Sequence, residues 1–163
     1  MLRPALAGSD IEVVAQGGLR NCLGPWVADE DCIGTTFQTK PDIILRRGNR
    51  VLTIVDTKWK SLAEPFEGKG GVSQADVYQL MAYARLYRCD DLVLLYPTAA
   101  GSAAGERTAF GMAGGREKLR IAQVDIAADK ETIIRALMEV LVSGDHSRRN
   151  GHTGSELLVS AAI

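Results

Sequence analysis

Two aspartates and a lysine on neighbouring predicted strands are the residues best suited to chemistry. Asp42 opens the segment DIILRR, and Asp56 lies near the end of VLTIVDTK, with Lys58 two residues beyond it. Side chains two positions apart on a strand point to the same face, so Asp56 and Lys58 are expected to project together. Charged residues inside an apolar hairpin are costly to bury without a partner or a ligand. Their placement therefore predicts a functional centre.

The turn of this predicted hairpin decides whether Asp42 joins the other two residues. A three-residue loop, Gly48–Arg50, places Asp42 directly across from Asp56. A two-residue loop places Asp42 across from Val55 instead, and the two carboxylates then face opposite sides. We expect the three-residue loop, because hairpin loops of that length with a left-handed glycine are common.

The chemistry of such a cluster is that of a divalent cation acting on a phosphate. Two carboxylates on adjacent strands repel each other unless a cation lies between them. Oxygen-only ligands favour Mg²⁺ or Mn²⁺ over zinc, and such an ion activates water for phosphodiester cleavage. The ammonium of Lys58 would orient that water or stabilise the transition state. The ordinary alternative is that D-x-K is common on strands, so the sequence argument rests on Asp42 and Asp56 together.

A predicted helix adds two polar side chains to this centre. Ser73 is a suitable N-cap and Asp76 follows three residues later, so the pattern predicts a helix that runs to about Arg88. Gln79 and Tyr83 are four residues apart and lie on one stripe with Asp76. An amide and a phenol hydroxyl suit a phosphate or a metal-bound water. The alternative is that Tyr83 is a core aromatic and Gln79 a surface residue.

The remaining pattern predicts the elements that position these residues. Both faces of the hairpin are apolar, which indicates a central strand pair covered on both sides, with Ile43, Leu45, Val51 and Val55 on one face and Ile44, Leu52 and Ile54 on the other. Further predicted elements are a strand at Ile11–Gln16, a strand Leu92–Tyr96 stopped by Pro97, strands Arg107–Gly111 and Leu119–Ile126, and a helix Lys130–Val142 ended by Gly144. The order β-β-β-α-β-(β)-β-α predicts an α/β fold, a mixed sheet flanked by helices.

Length and composition restrict the class of protein. The 163 residues suit one compact domain, which we expect over residues 1–144, with a polar, flexible tail over 145–163. The formal net charge of -1 means that any contact with DNA must rest on local basic residues. Three cysteines without a CxxC pair exclude zinc fingers and four-cysteine iron–sulfur clusters. Without a long apolar segment or a signal peptide, we expect a cytoplasmic protein and no membrane partner.

The combination of motifs resembles the C-terminal nuclease domain of McrC, the endonuclease subunit of the McrBC modification-dependent restriction system. The similarity is carried by PDIIL, VDTKWK, QADVYQLMAYA and LVLLYP, and it covers roughly Ile11 to Pro97. The pair Gln79 and Tyr83 is similar to the Q-x-x-x-Y motif that McrC shares with RecB-like nucleases. The resemblance implies a restriction-endonuclease-like fold of the PD-(D/E)XK type.

The resemblance also implies roles for individual residues. Asp42, Asp56 and the backbone carbonyl of Thr57 would be ligands of Mg²⁺ or Mn²⁺, and Lys58 would be the catalytic lysine. Gln79 and Tyr83 would be accessory residues. Beside this set, Trp59 and Lys60 are suited to contact DNA by stacking and by charge, or equally to pack at the strand end.

The implied partners are double-stranded DNA and a McrB-like AAA+ subunit that hydrolyses GTP. The sequence contains no GxxxxGK[ST] motif, so nucleotide hydrolysis would belong to that subunit. Such nucleases usually carry an acidic residue on a helix before the first strand, and the ten residues before Ile11 are too few for a full helix. Two alternatives remain open: a RecB-like repair nuclease, and an inactive nuclease-fold remnant that binds DNA or an AAA+ partner.

Overall fold

The structure is a computed structural model, and it describes residue 6 and residues 8–23, 37–62 and 69–146. Within these residues the chain forms eight strands and two helices. In chain order they are β1 Glu12–Ala15, β2 Arg20–Asn21, β3 Gln38–Thr39, β4 Ile43–Arg47, β5 Arg50–Thr57, α1 Gln74–Tyr87, β6 Asp91–Thr98, β7 Gly105–Gly111, β8 Lys118–Asp125 and α2 Lys130–His146.

Six of the strands form one mixed sheet in the order β1-β4-β5-β6-β8-β7. Strands β5, β6 and β8 run parallel, while β1 and β4 continue the sheet antiparallel at one edge and β7 does so at the other. Strands β2 and β3 pair separately as a short antiparallel ribbon. Helix α1 connects the adjacent parallel strands β5 and β6. The carboxyl ends of these strands form the edge at which α/β sheets usually bind ligands. The predicted mixed α/β architecture is confirmed.

Each helix covers one face of the sheet. The core on the α1 face includes Ile44, Ile54, Leu80, Tyr83, Tyr87, Leu92, Leu94, Tyr96, Leu119 and Ile121. The core on the α2 face includes Leu45, Val55, Val93, Leu95, Ala122, Val124, Val140 and Leu141. Strands β5 and β6 are apolar on both faces because both faces are covered, as the hairpin pattern predicted.

The turn between β4 and β5 differs from the predicted one. Arg47 pairs with Arg50, so the loop has two residues, Gly48–Asn49. Gly48 has a φ of 56°, a left-handed conformation that suits glycine at the first position of a two-residue hairpin turn. The prediction of a three-residue loop is therefore wrong.

A β-bulge restores the register that the predicted loop was meant to provide. Leu52 is an extra residue on β5, left without a partner where the register shifts by one. Beyond the bulge Ile43 pairs with Val55, and continuing this register by one residue places Asp42 across from Asp56. The two carboxylates therefore lie on the same face of the sheet, although the turn has only two residues, the length that was expected to place them on opposite sides.

Three other local predictions are wrong. Val51 packs against the core on the α1 face, because the bulge reverses the alternation of side chains on its far side. Strand β6 continues through Pro97 to Thr98. The proline is accommodated because β5 ends beside Leu95, so that β6 is an edge strand on that side. Helix α2 passes Gly144 and reaches His146, since one glycine weakens a helix without breaking it.

Several expectations concern residues outside the described part of the chain. The tail predicted for residues 145–163 is described only as far as His146, at the end of α2. The residues before β1, where an acidic helix was not expected, are described only at Leu6 and from Gly8 onward. Among the described helices, none is long and apolar enough to span a membrane.

Candidate functional site

Three of the predicted site residues meet at the carboxyl end of β5. Asp56 is the last buried residue of the strand, with 5% of its surface exposed. Lys58 follows the strand, and its Nζ lies 2.6 Å from Asp56 Oδ2. Asp42 precedes β4 on the neighbouring strand. The expected convergence of two carboxylates and an ammonium is therefore present.

The carboxylate of Asp42 is held in a fixed orientation. Its Oδ2 accepts hydrogen bonds from the backbone N–H of Thr57 at 2.8 Å and from the Thr57 hydroxyl at 2.6 Å. Its backbone carbonyl accepts a hydrogen bond from the N–H of Gln16, which ties it to the end of β1. Its Oδ1 accepts no hydrogen bond from any residue that the structure describes. One oxygen is thus used for positioning, and the other remains for a ligand.

Lys58 is shared between two carboxylates. Its Nζ lies 2.9 Å from Asp76 Oδ1 as well as 2.6 Å from Asp56, and Asp76 also binds Lys60 at 3.1 Å. Asp76 lies in the first turn of α1, where Ser73 Oγ accepts a hydrogen bond from its backbone N–H. The sequence placed Asp76 on the same helical stripe as the predicted accessory residues. Its role in capping the helix was a sufficient explanation, so it was not predicted as a site residue.

Gln79 connects the centre to the core beneath it. Its Nε2 donates to Asp56 Oδ1 at 3.3 Å and to the Tyr83 hydroxyl at 2.8 Å, and its Oε1 accepts from Lys58 at 3.3 Å. Tyr83 is buried against Tyr87, with ring centroids 6.1 Å apart in an edge-to-face arrangement. The structure brings both predicted accessory residues to the centre, where Gln79 orients the Asp56 carboxylate.

Burial and charge shift the pKa values of the three central groups. Burial raises the pKa of the Asp56 carboxyl, and this outweighs the hydrogen bond to Lys58 that lowers it; the nearby charges of Asp42 and Asp76 raise it further. Burial alone would lower the pKa of Lys58, but its hydrogen bonds to the two carboxylates raise it. Burial alone would also raise the pKa of Asp76, yet its hydrogen bonds, first that to Lys58, bring it well below the ordinary range. Burial thus disfavours the charged form of Asp56, whereas the charged form of Asp76 is favoured.

The donor set fits a hard divalent cation. Three carboxylates, Asp42, Asp56 and Asp76, face two ammonium groups, Lys58 and Lys60, so the cluster keeps one uncompensated negative charge. No group of three or more His, Cys, Asp or Glu side chains within the described ranges is arranged to hold a metal. Mg²⁺ is commonly held by one or two carboxylates and keeps several waters. One oxygen each from Asp42 and Asp56, with the backbone carbonyl of Thr57, would therefore suffice as the protein ligands of such an ion.

The two predicted DNA contacts differ in their surroundings. Trp59 follows directly after Lys58, and 88% of its surface is exposed. An exposed indole of this kind is available for stacking. Lys60 is about half exposed and forms its ion pair with Asp76. A role for either residue in DNA binding stays a prediction.

Comparisons with known proteins give a family and a similarity to a solved structure. Residues 3–97, more than half of the chain, match the model of a family described as McrBC 5-methylcytosine restriction system component. No curated protein matches the chain. Among solved structures it is similar to a refined half-complex from the tetradecameric assembly of Thermococcus gammatolerans McrB AAA+ hexamers with bound McrC, at 20% identity and a TM-score of 0.43. That likeness covers 61% of this chain and 25% of the solved chain.

Proposed function

The chain belongs to the family of McrBC 5-methylcytosine restriction system components, and on that premise we propose that it is a McrC-like DNA endonuclease of the PD-(D/E)XK type. It would hydrolyse phosphodiester bonds in double-stranded DNA with Mg²⁺ or Mn²⁺. The observation that carries the proposal is the meeting of Asp42, Asp56 and Lys58 on one face of the sheet, with Lys58 Nζ 2.6 Å from Asp56. Membership of this family favours restriction over RecB-like repair.

In the proposed reaction the oxygen of water forms a bond to phosphorus and the bond between phosphorus and one sugar oxygen breaks. The attacking water loses a proton to solvent, and the departing sugar oxygen takes one up. A divalent ion held by Asp42, Asp56 and the Thr57 carbonyl would supply Lewis acidity and lower the pKa of its water. Lys58 donates hydrogen bonds to the attacking water or to a phosphate oxygen and so counters the charge that builds up there. Gln79 keeps Asp56 in place while Lys58 changes partner. Asp76 keeps the ammonium near the centre.

The proposed substrate and partner follow from charge and family. The net charge of -1 gives the domain little general attraction for DNA. Trp59 and Lys60, which border the centre, are the proposed local contacts. We expect additional cationic surface to come from a McrB-like AAA+ subunit, which would also hydrolyse GTP because this sequence lacks a GxxxxGK[ST] motif.

The test measures metal binding and DNA cleavage in parallel. Calorimetric titration with Mn²⁺ and nicking of plasmid DNA, with and without the AAA+ partner, are expected to fail together in Asp42→Ala and Asp56→Ala. Lys58→Ala is expected to keep Mn²⁺ binding and lose cleavage, because the ammonium is not a ligand. A chelator should abolish cleavage by the unchanged protein.

Asp10→Ala is the matched control, since Asp10 is an exposed aspartate that pairs with Arg47 away from the centre. It is expected to leave both measurements unchanged. Normal Mn²⁺ affinity in Asp56→Ala would contradict the proposed metal site. A protein that binds Mn²⁺ and DNA but cuts neither alone nor with its partner would support the inactive remnant instead.

A further inference from the structure

We propose that a cleft beside this centre receives one nucleotide of the bound DNA strand, with an amino group of its base donating a hydrogen bond to Gln123. This inference rests on the proposed function, because it concerns the same DNA as the cleavage centre. It adds a subsite in which the identity of a base is read by this chain itself.

The cleft lies at the carboxyl edge of the parallel strands. It has a volume of about 450 Å³, within the range of small-molecule pockets. Its lining includes Ser61, Leu62, Thr98, Ser102, Arg107 and Gln123. Hydroxyl groups, a leucine and a guanidinium together suit the mixed polar and apolar surface of a nucleotide.

Gln123 supplies the observation that points to a ligand. The side chain lines the cleft, yet the residue is only 2% exposed, and its Oε1 has no hydrogen-bond partner among the described residues. A buried amide oxygen without a partner costs about 1–3 kcal/mol. Gln79, by contrast, uses both ends of its amide in the protein. The oxygen of Gln123 therefore has an unused capacity to accept a hydrogen bond from something that enters the cleft.

The cleft and the centre lie in one row across the sheet. Tyr96 on β6 pairs with Gln123 on β8, and Lys58 follows Thr57, which pairs with Leu95. Lys58, Tyr96 and Gln123 thus occupy neighbouring positions on the α1 face of three parallel strands. Two strand spacings, about 10 Å, separate the backbone positions of Lys58 and Gln123. This matches the reach from a phosphate at the centre to the far edge of a base.

Tyr96 stands between the two and has a free hydroxyl of its own. The side chain is fully buried, and its Oη has no hydrogen-bond partner within the described part of the chain. Burial raises the pKa of Tyr96 to about 12, and the charge of Asp76 adds to this, so the hydroxyl keeps its proton and can donate. Tyr96 does not line the cleft itself, so its hydroxyl is a second unpaired polar group next to the position of Gln123 and not a proposed contact of the nucleotide.

The chemistry of the Gln123 oxygen selects the part of DNA that it meets. A carbonyl oxygen only accepts hydrogen bonds, so a phosphate oxygen has nothing to donate to it. Amino groups on adenine, cytosine and guanine are suitable donors, whereas thymine has no amino group. We therefore expect cleavage to be disfavoured where thymine would occupy the cleft.

The experiment uses the five glutamines of the chain as reporters. The side-chain amides are labelled with ¹⁵N and followed by NMR while short DNA duplexes are added to the full chain, with Ca²⁺ in place of Mg²⁺ so that the DNA is not consumed. We expect the amides of Gln79 and Gln123 to shift together, while those of Gln38 and Gln74 stay in place. Duplexes with thymine throughout one strand should shift Gln123 less.

The two reporters distinguish the two proposals. A shift of Gln79 without a shift of Gln123 overturns the nucleotide cleft and leaves the endonuclease proposal standing. A shift of Gln123 alone supports the cleft but contradicts the cleavage centre. If neither amide shifts when DNA is added, both proposals fail.

A variant measures the consequence for specificity. Gln123→Leu fills the same space without the amide and is expected to raise KM for DNA about tenfold, the loss of one hydrogen bond. It should also lose the bias against thymine, with a smaller effect on kcat than on KM. Gln74→Leu, at an exposed position of α1, is the matched control, and thermal melting checks the fold of both. An unchanged KM together with an unchanged base preference overturns the proposal.

Discussion

Two buried aspartates among the described residues, Asp56 and Asp91, each pair with a cation near one face of the sheet, and the two pairs differ in how completely they are closed. Asp91 and Arg120 meet on the α2 face, where their side chains are 8% and 1% exposed. Arg120 grips both carboxylate oxygens, at 2.8 and 2.7 Å, and also donates to the carbonyl of Val140. Thr53 donates a further hydrogen bond to Asp91. Nothing in this pair is left for a ligand.

The pair of Asp56 and Lys58 has nearly the same separation but an open arrangement. Lys58 is divided between two carboxylates, and its side chain is 18% exposed. The planar fork of arginine fixes one geometry, whereas the ammonium of lysine is a point charge that can change partners. A short distance therefore does not identify a functional pair. Access to solvent and the geometry of the cation separate the two, since Arg120 also has a second carboxylate partner, Glu106, at 3.5 Å.

The largest expected effect is on the closed pair. Arg120→Met leaves Asp91 buried and unpaired, so the free energy of unfolding should fall by about 3–5 kcal/mol. Urea denaturation followed by circular dichroism measures it. Arg46→Met, at an exposed arginine that pairs with Glu12, is the control and should leave the midpoint unchanged. A stable Arg120→Met protein would show that the closed pair does not hold the fold together.

Substitution in the pair of Asp56 and Lys58 should show the opposite balance, with a large effect on DNA cleavage and a small effect on stability. Lys58→Met is expected to lower the rate of DNA cleavage by about 10²–10³-fold, because it removes a charge that acts on the transition state. Its free energy of unfolding should change much less than that of Arg120→Met. Cleavage rates and urea midpoints are measured on the same preparations. Normal cleavage would remove Lys58 from the mechanism.

The two carboxylates that share Lys58 should respond to pH with opposite signs in metal-free protein. The lowered pKa of Asp76 contributes stability that is present above the ordinary value of 3.8 and lost as the pH falls below it. Asp76→Asn should therefore cost about 1–2 kcal/mol at neutral pH and converge with the unchanged protein in acid.

Asp56 provides the contrast, because its pKa is raised in the folded state. Charging it opposes folding, so the stability of Asp56→Asn relative to the unchanged protein should grow as the pH rises above 3.8. Thermal melting in the presence of a chelator measures both series. Curves with the same sign for the two variants would contradict the opposite pKa shifts of Asp56 and Asp76.

The smallest effect is expected when the closed pair is replaced as a whole. Asp91→Leu combined with Arg120→Met removes both charges and keeps the volume, so stability should return to within about 1 kcal/mol of the starting protein. Urea denaturation decides this as well. A double variant as unstable as Arg120→Met alone would mean that Thr53 and Val140 depend on the ion pair for their own hydrogen bonding.

The elements of the centre were predictable because local patterns specify them. Ser73 caps α1 as predicted, and the helix ends at Arg88 with a φ of 52°. Continuous apolar runs located β4 and β5 to within a residue or two. Asp56 and Lys58 share a face because side chains two positions apart on a strand do so, whereas Asp42 lies across from Asp56 only because the bulge offsets the shorter turn.

The partners that come from distant segments were not predictable. Arg120 lies in the apolar run of β8 and pairs with Asp91, 29 residues earlier, so periodicity reveals its face but not its partner. Gln123 lies in the same apolar run, and periodicity likewise reveals its face but not the cleft that it lines. The turn was predicted wrongly because a general preference for loop length cannot reveal that Leu52 would be inserted as a bulge.

The bulge at Leu52 has a consequence for insertions and deletions in this hairpin. Leu52 has no partner on β4, so losing Leu52 alone would remove the bulge and leave Asp42 across from Asp56. With the turn unchanged, a second deletion in β5 would have no bulge to absorb it and would send the two acids to opposite sides. This part of β5 should therefore tolerate the loss of one residue but not of two.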